Sequence, residues 1–246
     1  MEQKWTTTTP DGYTIYGLKN SAETPSRKAI FIVHGLTGHM YEYAFKRAAD
    51  FFSTNYDVYR FNLYAGEDGA RSLENCTIQT HANDLNTVLN HFSSAYDQIF
   101  LIGHSYGGPT IMLACPNKVT AVSLWDPTFN LQKIQTVFHK AYEAVGDYYM
   151  VKWGVTSLIG KAMYEEANRM DEDVCIALSK AFPAPIHVVT AGDGFFKDAP
   201  TSYNTYGPEG SLREFISGTV HCFYEGDSCD ILLQKTQAWF QKHHGK

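Results

Sequence analysis

Ser105 stands in Gly103-His104-Ser105-Tyr106-Gly107-Gly108, directly behind the apolar run of residues 98–102. A serine hydroxyl is a poor nucleophile until a base takes its proton. The pattern therefore carries chemistry only if a histidine, an orienting carboxylate and donors for a developing oxyanion converge on it. Of the ten histidines, His221 opens a loop between the last strand candidate and the terminal helical stretch. His187 falls within a strand, and His81, His91 and His139 fall on helical stretches where a solvated face is the simpler reading. His243 and His244 sit at the terminus, and His104 is expected to pack beneath the turn. For the carboxylate, Asp193 in Thr-Ala-Gly-Asp-Gly-Phe-Phe lies just past a strand and is preferred. Asp126, in Leu-Trp-Asp-Pro, also ends a strand and is the rival, its other role being to open the next segment beside Pro127. Asp227 and Asp230 read as loop and helix-cap residues. Two backbone N–H groups complete the set: that of Tyr106, and that of Leu36 behind the tight His34-Gly35 turn.

These residues need a frame that gathers them. Strand candidates at 13–18, 29–33, 58–63, 98–102, 119–125, 186–190 and 212–216 are β-rich and nearly continuous in apolar character, as in strands covered on both faces. They alternate with helical stretches at 43–52, 78–92, 109–114 and 231–243. Such alternation predicts an α/β fold, a mostly parallel central sheet with helices on both faces and the chemistry at the carboxyl ends of the strands. The strand, motif and helix order around Ser105 is that of a nucleophile elbow, with glycines where side chains would collide. One segment breaks the alternation. Residues 129–182 show three helical faces and no good strand, which predicts a helical cap over the crevice. The expected division is a core of residues 1–126 and 184–246 with a cap at 127–183.

A chain of 246 residues with 44% apolar and 14% aromatic content can fill a sizeable core. The net charge of -6 leaves no basic face for a phosphate backbone, so nucleic acid is not an expected partner. No run approaches the roughly 20 apolar residues that span a bilayer, and no leader pattern opens the chain, so a soluble cytoplasmic protein without membrane insertion is expected. Five scattered cysteines lack metal or disulfide spacing and read as reduced thiols. No metal or organic cofactor is implied. Nothing in the residues reports an oligomeric state.

In order and spacing, DGYTIYG, FIVHGLTGH, GHSYGG, SLWDP, TAGDGFF and GTVH resemble the α/β-hydrolase superfamily, and within it the capped serine esterases and lipases of the monoacylglycerol lipase type. The resemblance covers nearly the whole chain. It implies Ser105 as nucleophile, His221 as base, Asp193 as acid, and Leu36 and Tyr106 as oxyanion donors. One loop departs: where many relatives carry D-x-R-G-x-G-x-S, this chain reads NLYAGEDGARS over residues 62–72. The expected activity is hydrolysis of a small-molecule carboxylic ester, with an apolar acyl chain of short to medium length, through an acyl-enzyme. A thioesterase or acyltransferase would use the same residues, and a non-catalytic receptor would be expected to lack one of them.

Overall fold

In the computed structural model, which describes residues 2–153 and 155–244, the chain runs β1 Glu2–Thr8, β2 Thr14–Asn20, β3 Lys28–Val33, α1 Tyr43–Phe52, β4 Asp57–Phe61, α2 Ile78–Phe92, β5 Gln98–His104, α3 Gly107–Ala114 and β6 Ala121–Trp125. It continues through α4 Leu131–Val137, β7 Tyr142–Val145, β8 Tyr148–Trp153, β9 Val155–Gly160, α5 Lys161–Arg169, α6 Glu172–Ala181, β10 Ile186–Ala191, α7 Tyr203–Tyr206, β11 Leu212–Ile216 and α8 Ser228–Lys242. Eight strands form one sheet in the order β1-β2-β4-β3-β5-β6-β10-β11. The pairs from β4 to β11 are parallel, and β1 and β2 add an antiparallel edge.

The apolar runs follow from this placement. Along β3, Ala29, Phe31 and Val33 enter the core on one face while Ile30 and Ile32 enter the core on the other. In β5, Ile99 and Leu101 oppose Phe100 and Ile102 in the same way. A strand covered twice must be apolar at successive positions. The first core is closed by α2 and α3, with Ile78, Ala82, Leu85, Ile111 and Met112; the second by α1 and α8, with Phe45, Ala48, Phe52, Leu233 and Phe240. Helix α2 starts at a capping box, in which the Thr77 hydroxyl accepts from Thr80 N at 3.0 Å and the Thr80 hydroxyl accepts from Thr77 N at 2.8 Å. Among the described residues no helix is long and apolar enough to cross a membrane.

Two elements depart from the sequence expectation. Strand β1 carries threonines and charges and only one half-buried face, so it has little apolar signal. Trp5 holds it, its ring against Phe92 at 4.9 Å between centroids and over Gly17, where any Cβ would lie 2.1 Å from the indole. The second departure is the segment between β6 and β10. Three helices are present, α4, α5 and α6, the last matching the third expected face, but a three-stranded antiparallel sheet β7-β8-β9 that was not expected stands between α4 and α5. The first expected helical face stops at Val137, and the second is β9 followed by the start of α5. The cause is local: Tyr148 to Trp153 is rich in aromatic and β-branched residues, and Gly146, at φ 60°, lets a two-residue turn pair Val145 with Tyr148. This inner sheet buries Val151 and Ile159 in the core and stacks Tyr149 on Tyr164 at 4.0 Å.

Burial also charges the fold with a pH dependence. Desolvation holds His34 and His187 down to about 4 and His81 and His104 down to about 3. His81 is thus a core residue and not part of a solvated helix face. The unfolded chain binds protons on these rings below pH 6.5 and the folded chain does not. Their contribution is therefore complete above pH 6.5 and is lost as pH falls from 6.5 toward 4, at about 1.4 kcal/mol per pH unit for each ring. Asp84, raised to about 6 by burial, acts in the opposite sense and offsets one ring; Glu42, also raised, offsets part of another. The urea midpoint at pH 5 is expected to fall clearly below that at pH 7.5, and equal midpoints would contradict this account.

Candidate active site

Three adjacent parallel strands end at the site. Strand β5 delivers Ser105, β3 delivers the loop carrying Leu36, and β6 delivers Asp126. Ser105 sits at φ 54° in the left-handed region, as do Thr37 at 62° and Asp126 at 41°, a backbone state that non-glycine residues adopt only when the surroundings enforce it. The enforcement is visible. The Ser105 N–H donates to Trp125 O at 3.1 Å, and its carbonyl accepts from Gly108 at 3.0 Å and Thr128 at 3.1 Å. Gly107 passes so close to β3 that a Cβ there would lie 2.3 Å from Val33 O. Residues of this turn are therefore fixed by backbone contacts on both sides, and α3 begins two residues after Ser105, so its N-terminal dipole favours negative charge nearby.

His221 lies in the loop after β11, and its Nδ1 donates to Asp126 Oδ2 at 2.7 Å. The other carboxylate oxygen accepts from Ala191 N at 3.1 Å, and Asp126 is fully buried. This corrects the assignment of Asp193. That residue is exposed, and it joins the loop only through its backbone N–H, which donates to Thr219 O at 3.0 Å. The physical reason is the sheet order. Strand β6 lies beside β5, whereas β10 is one strand further out, and Asp193 sits between two glycines in a turn that aims its side chain at solvent. Because Nδ1 carries the proton toward Asp126, Nε2 of His221 is left as the acceptor. Ser105 and His221 line one cavity of about 480 Å³.

The loop carrying Leu36 is held from behind. Buried His34 donates from Nδ1 to Gly35 O at 2.8 Å and accepts at Nε2 from Leu63 N at 3.0 Å, which defines its tautomer. This ties the Gly35 turn to the loop of residues 62–72. In that loop Asn62 accepts from Met40 N at 2.8 Å, and Arg71 is buried between Asp84 and Asp11. The backbone N–H groups of Leu36 and Tyr106 have no protein acceptor among the described residues. Both residues border the cavity beside Ser105.

The cavity has two kinds of wall. One comes from the segment between β6 and β10 and from the turn after β10: Ile134, Phe138, Trp153, Phe195 and Phe196. The other is polar: His39, Glu42, His104 and Cys222. His104 does not simply pack beneath the turn; its ring lies 4.6 Å from that of His221 and its Nε2 donates to His221 O at 2.9 Å. Glu42 was not legible as a site residue, since neither type nor spacing links it to Ser105, and His104, though adjacent to Ser105, carries no signal that its ring meets His221. A larger cleft of about 750 Å³, lined by Lys118, Thr120 and Lys242, opens at the opposite, amino-terminal end of the parallel strands. None of the residues around Ser105 reaches it, so size does not identify the site here. All five cysteines are free thiols.

Residues 24–175 match the Hydrolase_4 family, described as serine aminopeptidase, S33. No curated protein sequence matches the chain. Among solved structures, Est1E from Butyrivibrio proteoclasticus with ferulic acid bound superposes with a TM-score of 0.80 at 16% identity, over 96% of this chain and 98% of that one. The esterase domain of a Rhodothermus marinus protein gives 0.77 at 16% identity, covering 100% of both chains. The α/β hydrolase GrgF from Penicillium sp. sh18 gives 0.77 at 14% identity, again over 100% of both. At these identities the likeness is one of fold.

Proposed function

Since the chain belongs to the Hydrolase_4 family (serine aminopeptidase, S33) and has the α/β-hydrolase fold of an enzyme of that family, we propose that it cleaves carboxylic esters through an acyl-enzyme on Ser105. The observation that carries this reading is the 2.7 Å hydrogen bond from His221 Nδ1 to the buried carboxylate of Asp126, in a loop that brings His221 into the cavity of Ser105. Ser105 Oγ attacks the ester carbonyl as its proton passes to His221 Nε2. The imidazolium so formed is stabilised by Asp126, and the carbonyl oxygen, now negative, is held by the N–H groups of Leu36 and Tyr106. Collapse expels the alcohol, which takes the proton from His221. A water molecule, deprotonated by the same nitrogen, then releases the acid. The apolar wall of Ile134, Phe138, Trp153 and Phe195 suits a hydrocarbon or aromatic acyl group. The segment of residues 127–183 acts as the cap that supplies most of that wall.

The test is covalent. A fluorophosphonate is expected to add once per chain, at Ser105 by peptide mapping, with hydrolysis of p-nitrophenyl butyrate lost in proportion. Labelling at another residue, or full labelling with undiminished turnover, overturns the proposal. Faster cleavage of butyryl-CoA than of the ester would move the reading to a thioesterase.

A further inference from the structure

The polar wall of the cavity contains two hydrogen-bond acceptors that the catalytic assignment leaves unused. Glu42, where α1 begins, has one carboxylate oxygen engaged: Oε1 accepts the N–H of His39 at 3.1 Å. Its other oxygen, Oε2, lies 3.9 Å from Nδ1 of His104. The protonation of His104 follows from its second nitrogen. Nε2 is 2.9 Å from the carbonyl oxygen of His221, and a carbonyl can only accept, so Nε2 bears the hydrogen. Burial keeps the ring neutral, which leaves Nδ1 as a lone pair. Two acceptors thus face each other across a gap too wide for a direct hydrogen bond. A single O–H or N–H entering from the cavity donates to one of them, and the carboxylate is the stronger acceptor.

The position of the pair says which part of an ester it would meet. In the mechanism above His221 returns its proton to the leaving oxygen, so the alcohol portion lies along the His221 side. The His104 ring lies 4.6 Å from that of His221, tilted by 38°, and Glu42 lines the same cavity, whose other lining is largely hydrocarbon and aromatic. Resting on the ester-hydrolase reading, we infer that Glu42 and His104 form a subsite for a hydrogen-bond donor, a hydroxyl or a protonated amine, on the alcohol portion of the substrate. The substrate class is then esters of polyols or amino alcohols rather than of simple alkanols. Glu42 acts here as a specificity residue and takes no part in proton transfer to Ser105.

The experiment uses three butyrate esters: n-propyl, its isostere 2-hydroxyethyl, and the larger 2-(dimethylamino)ethyl. A bond to a charged acceptor predicts that the wild type favours each donor-bearing ester over the propyl ester by about ten- to a hundredfold in kcat/KM. Glu42→Leu is expected to bring both ratios to within about threefold of unity. Glu42→Gln, which keeps the shape and an acceptor oxygen, is expected to lose the ammonium preference while retaining the larger part of the hydroxyl preference. If Glu42→Leu does not fold, Glu42→Gln decides. The two esters separate the two donor types, and a preference for either one alone identifies it. Ratios near one in the wild type, or ratios that survive both substitutions, overturn the subsite. Failure of the underlying reading looks different: propyl butyrate is then not cleaved and Ser105 is not labelled, whatever the ratios.

Discussion

Replacing Ser105 with alanine is expected to lower kcat for p-nitrophenyl butyrate by about 10⁶-fold while leaving the urea midpoint within the error of measurement. The size follows from the coupling of the groups. Without the hydroxyl, His221 has no proton to take and the N–H groups of Leu36 and Tyr106 have no tetrahedral centre to hold, so the whole acyl-enzyme route is lost at once. Stability should be unchanged because alanine inherits the φ of 54° at this position and the backbone bonds to Trp125, Gly108 and Thr128 involve no side chain. Steady-state rates with active-site titration give the answer, and retention of more than about one per cent of activity removes Ser105 from the mechanism.

The second large effect separates two aspartates. Asp126→Asn is expected to cost about 10⁴-fold in kcat, because an asparagine cannot hold the Nδ1–H tautomer or stabilise the imidazolium. Asp193→Asn, at an exposed residue whose carboxylate has no bond to His221, is expected to stay within about threefold of wild type. The loss at Asp126 should appear in kcat and kcat/KM alike, the mark of an interaction made in the transition state. The reverse pattern, a collapse at Asp193 with a mild effect at Asp126, would falsify the triad drawn above.

Why one of these aspartates misled the sequence reading is a matter of geometry in the third dimension. Asp126 and Asp193 both follow apolar strands and both fall between Ser105 and His221 in the chain, so order cannot separate them. Only the lateral order β5-β6-β10 does. The elements with strong local signals were readable. Helices α1 and α2 begin and end where the spacing of their apolar residues places them, and the glycines around Ser105 marked a turn that the close approach of Gly107 to Val33 explains. Strand β1 was not readable, because a threonine-rich edge strand borrows its stability from Trp5 and from pairing with β2. The hairpin of β7 and β8 was not readable either. Its tyrosines, valine and tryptophan satisfy a helical spacing as well as an alternating one, and Gly146 was the punctuation that decided between them.

The turn of residues 192–199 has an unusual freedom in this molecule. It carries no group that must meet His221 to within a fraction of an ångström, yet it sends Phe195 and Phe196 into the cavity. Its tolerance to drift is therefore set by the substrate and by the bonds that anchor its backbone, from Asp193 N–H to Thr219 O and from Arg213 to the carbonyls of Phe196 and Ala199. Lengthening, shortening or recolouring that turn is expected to change the acyl preference while leaving the bond from His221 to Asp126 in place. Directed libraries should begin there.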